Sequence, residues 1–161
     1  MRDRKILYPI LQSAVRDEWF QQCWRSAAVA EDRLAPIRDS LTEDQQQILD
    51  DYLAAREELG LAMVSVGYEM GAENAAGDQT AEGEWLWELF DRAMKDTFFQ
   101  TCDQDLKERE PDYRAILDSL PEASRKQLVD YVFSCCAHGS ALAAVAYELG
   151  VEHGKCGRPQ G

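Results

Sequence analysis

The residues best suited to chemistry in this sequence are two pairs of glutamates. Glu69 and Glu73 lie in a Tyr-Glu-Met-Gly-Ala-Glu segment, and Glu148 and Glu152 lie in a Tyr-Glu-Leu-Gly-Val-Glu segment. The residues of each pair are four apart, so a helix places both carboxylates on one face. Carboxylate oxygens are ligands that suit Mg²⁺ or Mn²⁺. If the two segments meet in the fold, the four carboxylates could hold such an ion.

This metal site would make the chain a helical nucleotide hydrolase that uses carboxylates from both segments. Two observations count against it: the sequence has no Glu-x-x-His pair of the di-iron type, and no obvious phosphate-binding basic residue lies near the glutamates. The alternative is that the glutamates form a solvated border beside an apolar helix stripe. On that interpretation we expect no catalytic residue and no cofactor.

The cysteines and histidines give a weaker signal. His153 and Cys156 form one close pair, but a structural zinc site needs four ligands. The other ligands, Cys135, Cys136 and His138, lie more than a dozen residues upstream. Five cysteines without the spacing of a disulfide framework favour a reducing cytoplasm.

Four tryptophans add aromatic bulk near the start of each half: Trp19, Trp24, Trp85 and Trp87. We expect them in the core, where they need no functional explanation. If exposed, they would suit the anchoring role that aromatic side chains have in protein interfaces.

An internal repeat organises the chain. When the sequence is shifted by 79 positions, residues 6–75 align with 85–154 without a gap, and about 22 of the 70 pairs are identical. We therefore predict an all-α protein that is a tandem duplication of a two-helix unit. The units are residues 1–78 and 79–161, which we expect to share one core as a bundle with an approximate twofold axis.

Each unit reads as a first helix, a linker and a long second helix. The predicted helices cover about residues 4–30, 42–75, 83–108 and 121–153. Pro36 and Pro111 are assigned to the linkers, because the residue before a proline is pushed out of helical geometry. Thr42 and Ser119 are the expected capping residues of the long helices.

Small residues recur on the long helices. Gly60, Gly67 and Gly71 correspond to Gly139, Ala146 and Gly150. Glycine costs about 1 kcal/mol in a helix interior relative to alanine, so its presence in both copies indicates a geometric use. We predict that the long helices pack against each other through these residues. The alternative is that a glycine breaks the helix near residue 60.

Part of each unit, roughly residues 34–75 and the matching stretch of the second copy, resembles a known group of proteins. The residues are Ser-Leu-Thr-Glu-Asp-Gln at 40–45, Tyr52, and Gly-Tyr-Glu-Met-Gly at 67–71. They are similar to a family of short helical proteins of unknown function from Firmicutes and their mobile elements. The second copy departs at Ala123, Ser124 and Ala146. The resemblance implies no activity, and it favours a mobile-element or phage accessory protein.

The formal net charge of −13 narrows the class of partner. It argues against direct binding of nucleic acid or anionic lipid. No signal peptide or membrane span is expected. We therefore expect a cytoplasmic, non-enzymatic module for protein–protein interaction, whose acidic surface could mimic nucleic acid and inhibit a basic nucleic-acid-binding protein. Assembly into a homo-oligomer is the other form such contact could take.

Overall fold

The computed structural model describes residues 4–75 and 84–157. Within these residues the chain forms six helices and no strand. The helices are α1 (Arg4–Ala14), α2 (Glu18–Ser40), α3 (Glu43–Asn74), α4 (Glu84–Ala93), α5 (Thr97–Ser119) and α6 (Glu122–Cys156). The predicted all-α class is confirmed for this part of the chain. The predicted unit boundary after residue 78 lies outside the described residues.

Each predicted first helix is divided in two, so the continuous helices expected over 4–30 and 83–108 are wrong. The division follows from two aspartates that cap the next helix. The Asp17 carboxylate accepts a hydrogen bond of 2.7 Å from the Phe20 backbone N–H at the start of α2. Asp96 accepts one of 2.9 Å from the Phe99 N–H at the start of α5. Such caps satisfy backbone donors that a helix start leaves unpaired.

The helices α2 and α5 continue through the prolines that were assigned to linkers. Pro36 lies inside α2 and Pro111 inside α5. A proline in a helix interior costs about 3 kcal/mol. Leu34 and Ile37 flank Pro36 and are both buried in the core. Burying two such side chains contributes about 3 kcal/mol or more, which offsets the cost, and the linker assignments are wrong.

One of the two predicted caps of the long helices is confirmed. The Thr42 hydroxyl accepts a hydrogen bond from the Gln45 N–H, and the Gln45 side chain accepts one from the Thr42 N–H, which completes a capping box. Ser119 is not a cap of α6. It is the last residue of α5, and its hydroxyl donates to the Ile116 carbonyl at 2.7 Å.

The long helices α3 and α6 pack against each other, as the small residues predict. A methyl group added at Gly67 would lie 2.9 Å from the carbonyl oxygen of Ala143, so the two backbones are in close contact there. The helix α3 is continuous through Gly60, so the alternative of a break at that residue is wrong.

The remaining helices pack on the long pair. The helices α1 and α2 lie against α6, and α4 and α5 lie against α3, so each long helix is covered by helices from the other half of the sequence. Buried residues form two clusters. One surrounds the C-terminal halves of α3 and α6, and the other surrounds their N-terminal halves.

The helix α6 is the one described helix that is long and apolar enough to cross a membrane by length and composition. Its buried residues run from Leu128 to Gly150 and pack against the other helices. The core of the bundle accounts for them.

Candidate interaction site

Two stripes of exposed apolar side chains lie on the short helices and the turns that follow them, and the first stripe extends to the start of α2. The first stripe is Tyr8, Leu11, Val15 and Trp19, and the second stripe is Trp87, Phe90 and Met94. Tyr8 and Leu11 of α1, like Trp87 and Phe90 of α4, are three residues apart, so each of these pairs shares one side of its helix. Tyr8 is 67% exposed and Trp87 is 79% exposed. These values are large for aromatic residues, whose bodies are apolar.

The stripes point away from the bundle because the opposite side of each short helix is buried. In α1 the buried residues are Ile10 and Ala14, and in α4 they are Leu89 and Ala93. Leu89 and Ala93 are 79 positions after Ile10 and Ala14, respectively. A short helix with apolar residues on two sides uses one side for its own fold and leaves the other for contact.

The expectation that the tryptophans are core residues is wrong for three of the four. Trp19, Trp24 and Trp87 are exposed. Trp85 packs against the core, where its ring stacks on Tyr147 with centroids 5.2 Å apart. Periodicity could not separate these cases, because the short helices carry apolar residues on two sides.

Further exposed apolar residues lie on α2 and α6. Its exposed residues are Trp24, Val29, Val129 and Phe133. The residues 79 positions away on α5 and α3 are Asp103, Glu108, Asp50 and Ala54. These exposed apolar residues are therefore not repeated in the other half. In the stripes, by contrast, the three positions of Tyr8, Leu11 and Val15 are apolar and exposed in both halves.

The four glutamates of the predicted metal site face different neighbours. Glu73 pairs with Arg92 of α4, while Glu148 and Glu152 line a depression beside the end of α1. Glu69 is exposed on α3. Within residues 4–75 and 84–157, no group of three or more His, Cys, Asp or Glu side chains could hold a metal ion. The four carboxylates therefore do not form a single ion-binding group.

Two of these glutamates, Glu148 and Glu73, have different charges beside them. The pKa of Glu148 is raised, first by partial burial and then by the negative charges of Asp17 and Glu152. Glu73, in contrast, has the Arg92 guanidinium beside it, and this ion pair raises the pKa of Arg92. Glu148 thus lies among like charges, whereas Glu73 has a cation beside it.

The histidines make separate contacts. The Tyr68 hydroxyl and His153 Nδ1 are 2.9 Å apart and hydrogen-bonded. The His138 ring lies beside two aromatic rings, with its centroid 4.6 Å from that of Phe20 and 6.1 Å from that of Trp24, and burial lowers its pKa. Neither contact forms part of a zinc site in the described residues.

A polar network between α3, α5 and α6 was not anticipated from the sequence. The Tyr52 hydroxyl donates to Glu110 at 2.9 Å and accepts from Arg56 at 2.9 Å. Arg56 also donates to the Cys136 sulfur at 3.0 Å. The Tyr52 ring stacks on Tyr113 with centroids 3.9 Å apart. The hydrogen-bonded partners Arg56 and Cys136 are 80 positions apart. The one signal in the sequence was that Tyr52 has an identical counterpart, Tyr131, in the second copy.

No protein-family model, curated protein or solved structure matches this chain. The resemblance to the Firmicutes family therefore stays a prediction.

Proposed function

We propose that this chain is a non-enzymatic helical module that acts by binding another protein. The observation that carries this proposal is the pair of exposed apolar stripes on the short helices. Exposed apolar patches rimmed by polar residues mark interaction sites in soluble proteins. Tyrosine and tryptophan are also the side chains that most often dominate binding energy at interfaces.

We also propose that the chain arose by tandem duplication and that its halves are related by an approximate twofold axis. The identities at 79 positions support this. So do the helix bounds, since α2 and α5, and likewise α3 and α6, begin 79 residues apart. Two equivalent stripes then suit two copies of one partner, or a partner with twofold symmetry of its own.

The partner that fits best is a basic protein with an apolar helix face. Helix-in-groove recognition uses apolar anchors at the spacing found in the stripes. The net charge of −13 opposes association of two copies of this chain and attracts a basic surface. Inhibition of a basic nucleic-acid-binding protein in the cytoplasm, by an accessory protein of a phage or mobile element, is the form of this function that we favour.

A matched pair of variants tests the proposal. The double variant Tyr8→Ser/Trp87→Ser removes the most exposed anchor of each stripe, and Phe133→Ser removes an exposed aromatic outside both stripes. Each tagged protein is used for affinity capture from host lysate. The captured protein is then purified and its stoichiometry with this chain is measured by light scattering at low and high salt.

The expected result is one basic protein that binds the parent chain and Phe133→Ser, is lost from the double variant and dissociates as salt increases. Equal retention by the double variant would contradict the stripes as the binding site. A parent chain that forms dimers by itself, and monomers as the double variant, would replace the proposed partner with a second copy of this chain.

A further inference from the structure

A depression beside Ser13 contains glutamates that form no ion pair in the described part of the chain. It lies between the end of α1, the start of α2 and the C-terminal part of α6, and its volume is about 210 Å³. Asp17, Glu148 and Glu152 contribute carboxylates to its lining. We call this site the Ser13 depression.

The glutamates of this depression have no partner in the described part of the chain. Among residues 4–75 and 84–157, no ion pair or hydrogen bond involves the side chain of Glu148 or Glu152. Asp17 is committed to capping α2 through the Phe20 N–H. Burial and the neighbouring negative charges raise the pKa of Glu148, as expected for a carboxylate that lacks a counter-ion.

The other half of the molecule shows which group fits between such residues. Arg92 is 79 positions after Ser13, and Glu73 is 79 positions before Glu152. The Arg92 guanidinium donates to Glu73, and its Nε also donates to Glu88 at 3.2 Å. Serine is too short to make the equivalent contact, so the first half has the carboxylate without the guanidinium.

The one basic residue in the lining does not replace this guanidinium. Arg16 lines the depression but makes no ion pair with Glu148 or Glu152. Its counterpart in the second half, Lys95, forms an ion pair with Asp91, while Glu73 forms its ion pair with Arg92. The position equivalent to Arg92 therefore remains the place for an added cation.

The shape and lining of the depression suit an arginine more than a metal ion. Val145 and Leu149 form its apolar wall, which can cover the aliphatic stem of a long side chain. A guanidinium donates several hydrogen bonds in a fixed plane, so it can engage two carboxylates at once.

We propose that the Ser13 depression binds the guanidinium group of an arginine side chain from a partner protein. This group would take the position that corresponds to the Arg92 guanidinium beside Glu73 in the other half. This deepens the proposed function, because the arginine is assigned to the partner. The preference of the depression for a guanidinium can nevertheless be measured without any partner.

The direct test is a titration of the full chain with N-acetyl-arginine amide, followed through the side-chain carboxyl NMR signals of Glu148 and Glu152. N-acetyl-citrulline amide is the matched control, because it has nearly the same shape and no charge. We expect a saturable shift with the arginine derivative and none with the citrulline derivative. Equal responses to both, or no saturable shift, would overturn the proposal.

Two variants add a control for folding and for location. Ser13→Arg supplies its own guanidinium, so it should stay folded, lower the pKa of Glu148 and lose the shift. Glu69→Gln changes the residue equivalent to Glu148 in the other half and should leave binding unchanged. Undiminished binding by Ser13→Arg would place the ligand elsewhere and refute the site.

The source of the arginine is tested separately with the captured partner. Ser13→Arg should weaken its binding severalfold, whereas Glu69→Gln should not. If the partner binds Ser13→Arg as tightly as the parent chain, the arginine is not the partner's and the depression serves a free guanidine compound. Failure of the stripe variants to affect capture would count against the proposed function and leave the titration result standing.

Discussion

The long helices α3 and α6 are held together in different ways at their two ends. At the C-terminal end, which we call the glycine end, the backbones touch. A methyl group at Gly71 would overlap the Tyr147 carbonyl oxygen, and one at Gly150 would overlap that of Tyr68. The contact is made by main-chain atoms, which cannot move aside as the tip of a side chain can.

At the N-terminal end, which we call the tyrosine end, side chains from α5 and α6 join the contact. Tyr52 of α3 stacks on Tyr113 of α5, and Arg56 links Tyr52 to Cys136 of α6. Both tyrosine rings are buried, while the guanidinium is only partly covered. This end is filled by large rings whose polar atoms find partners at the edge of the core.

The difference implies that the two ends tolerate different changes. The glycine end depends on shape alone, so added volume is costly. The tyrosine end depends on rings and hydrogen bonds, so the loss of a polar atom or a change of ionisation is what weakens it. Gly60 lies between the ends with no atom near its would-be methyl group, and it provides a neutral reference.

The largest effect is expected at the glycine end. Gly71→Ala should lower the free energy of unfolding by about 2–3 kcal/mol, because the methyl group must displace the backbone of α6. Urea unfolding followed by circular dichroism measures the change. The same substitution at Gly60 should raise stability by about 0.5–1 kcal/mol through better helix propensity. Equal effects at the two sites would show that the close contact does not determine stability.

A smaller loss is expected at the tyrosine end at high pH. Burial is the main cause that raises the pKa of Tyr113 from 10.0 to about 12, and burial also raises those of Tyr52 and Tyr131. Since the folded state holds the Tyr113 phenol proton more tightly than the unfolded state, the neutral phenol contributes to the free energy of unfolding. This contribution is complete below pH 10.0 and is lost as the pH rises through about 12. Phenolate absorbance and circular dichroism should change together in this range. Titration of all tyrosines at their ordinary pKa in a folded chain would contradict this.

Removal of one hydroxyl should weaken the tyrosine end by less. Tyr52→Phe keeps the stacked ring but loses the bonds to Glu110 and Arg56, at a cost of about 1 kcal/mol. Those partners keep other bonds, to Arg114 and Cys136 respectively. The matched control is Tyr131→Phe, at the equivalent position of α6, whose hydroxyl interacts with the Cys135 thiol, a weak hydrogen-bonding group. Denaturation midpoints should rank Tyr52→Phe below this control.

The glycine end could be predicted from the sequence, and the tyrosine end could not. Repeated glycines in a helical pattern have few explanations other than close backbone contact, so Gly71 and Gly150 were informative by themselves. The pairing of Tyr52 with Tyr113 depends on α5 crossing α3, which no local pattern encodes. The exposed stripes were missed for a similar reason, because only the packing of α1 and α4 decides which apolar side is covered.

The division between α1 and α2 was missed although the sequence contained a signal for it. Asp17 and its counterpart Asp96 are each followed three residues later by a phenylalanine, and both aspartates cap a helix. A proline predicts an interruption when its cost is considered alone, but at Pro36 the burial of the neighbouring Leu34 and Ile37 offsets that cost.

The smallest effect on stability, and the sharpest contrast in reactivity, is expected at two adjacent cysteines of the tyrosine end. Cys136 is exposed and its sulfur lies 3.0 Å from the Arg56 guanidinium. Cys135 is partly buried, and burial raises the pKa of its thiol. Because the thiolate is the reactive form and Cys135 is the less exposed and less readily ionised of the two, Cys136 should react severalfold faster with iodoacetamide. Arg56→Met should slow Cys136 and leave Cys156, which is also exposed, unchanged. If mass spectrometry showed that Arg56→Met slows the alkylation of Cys136 and Cys156 equally, Arg56 would not act specifically on the neighbouring Cys136 sulfur.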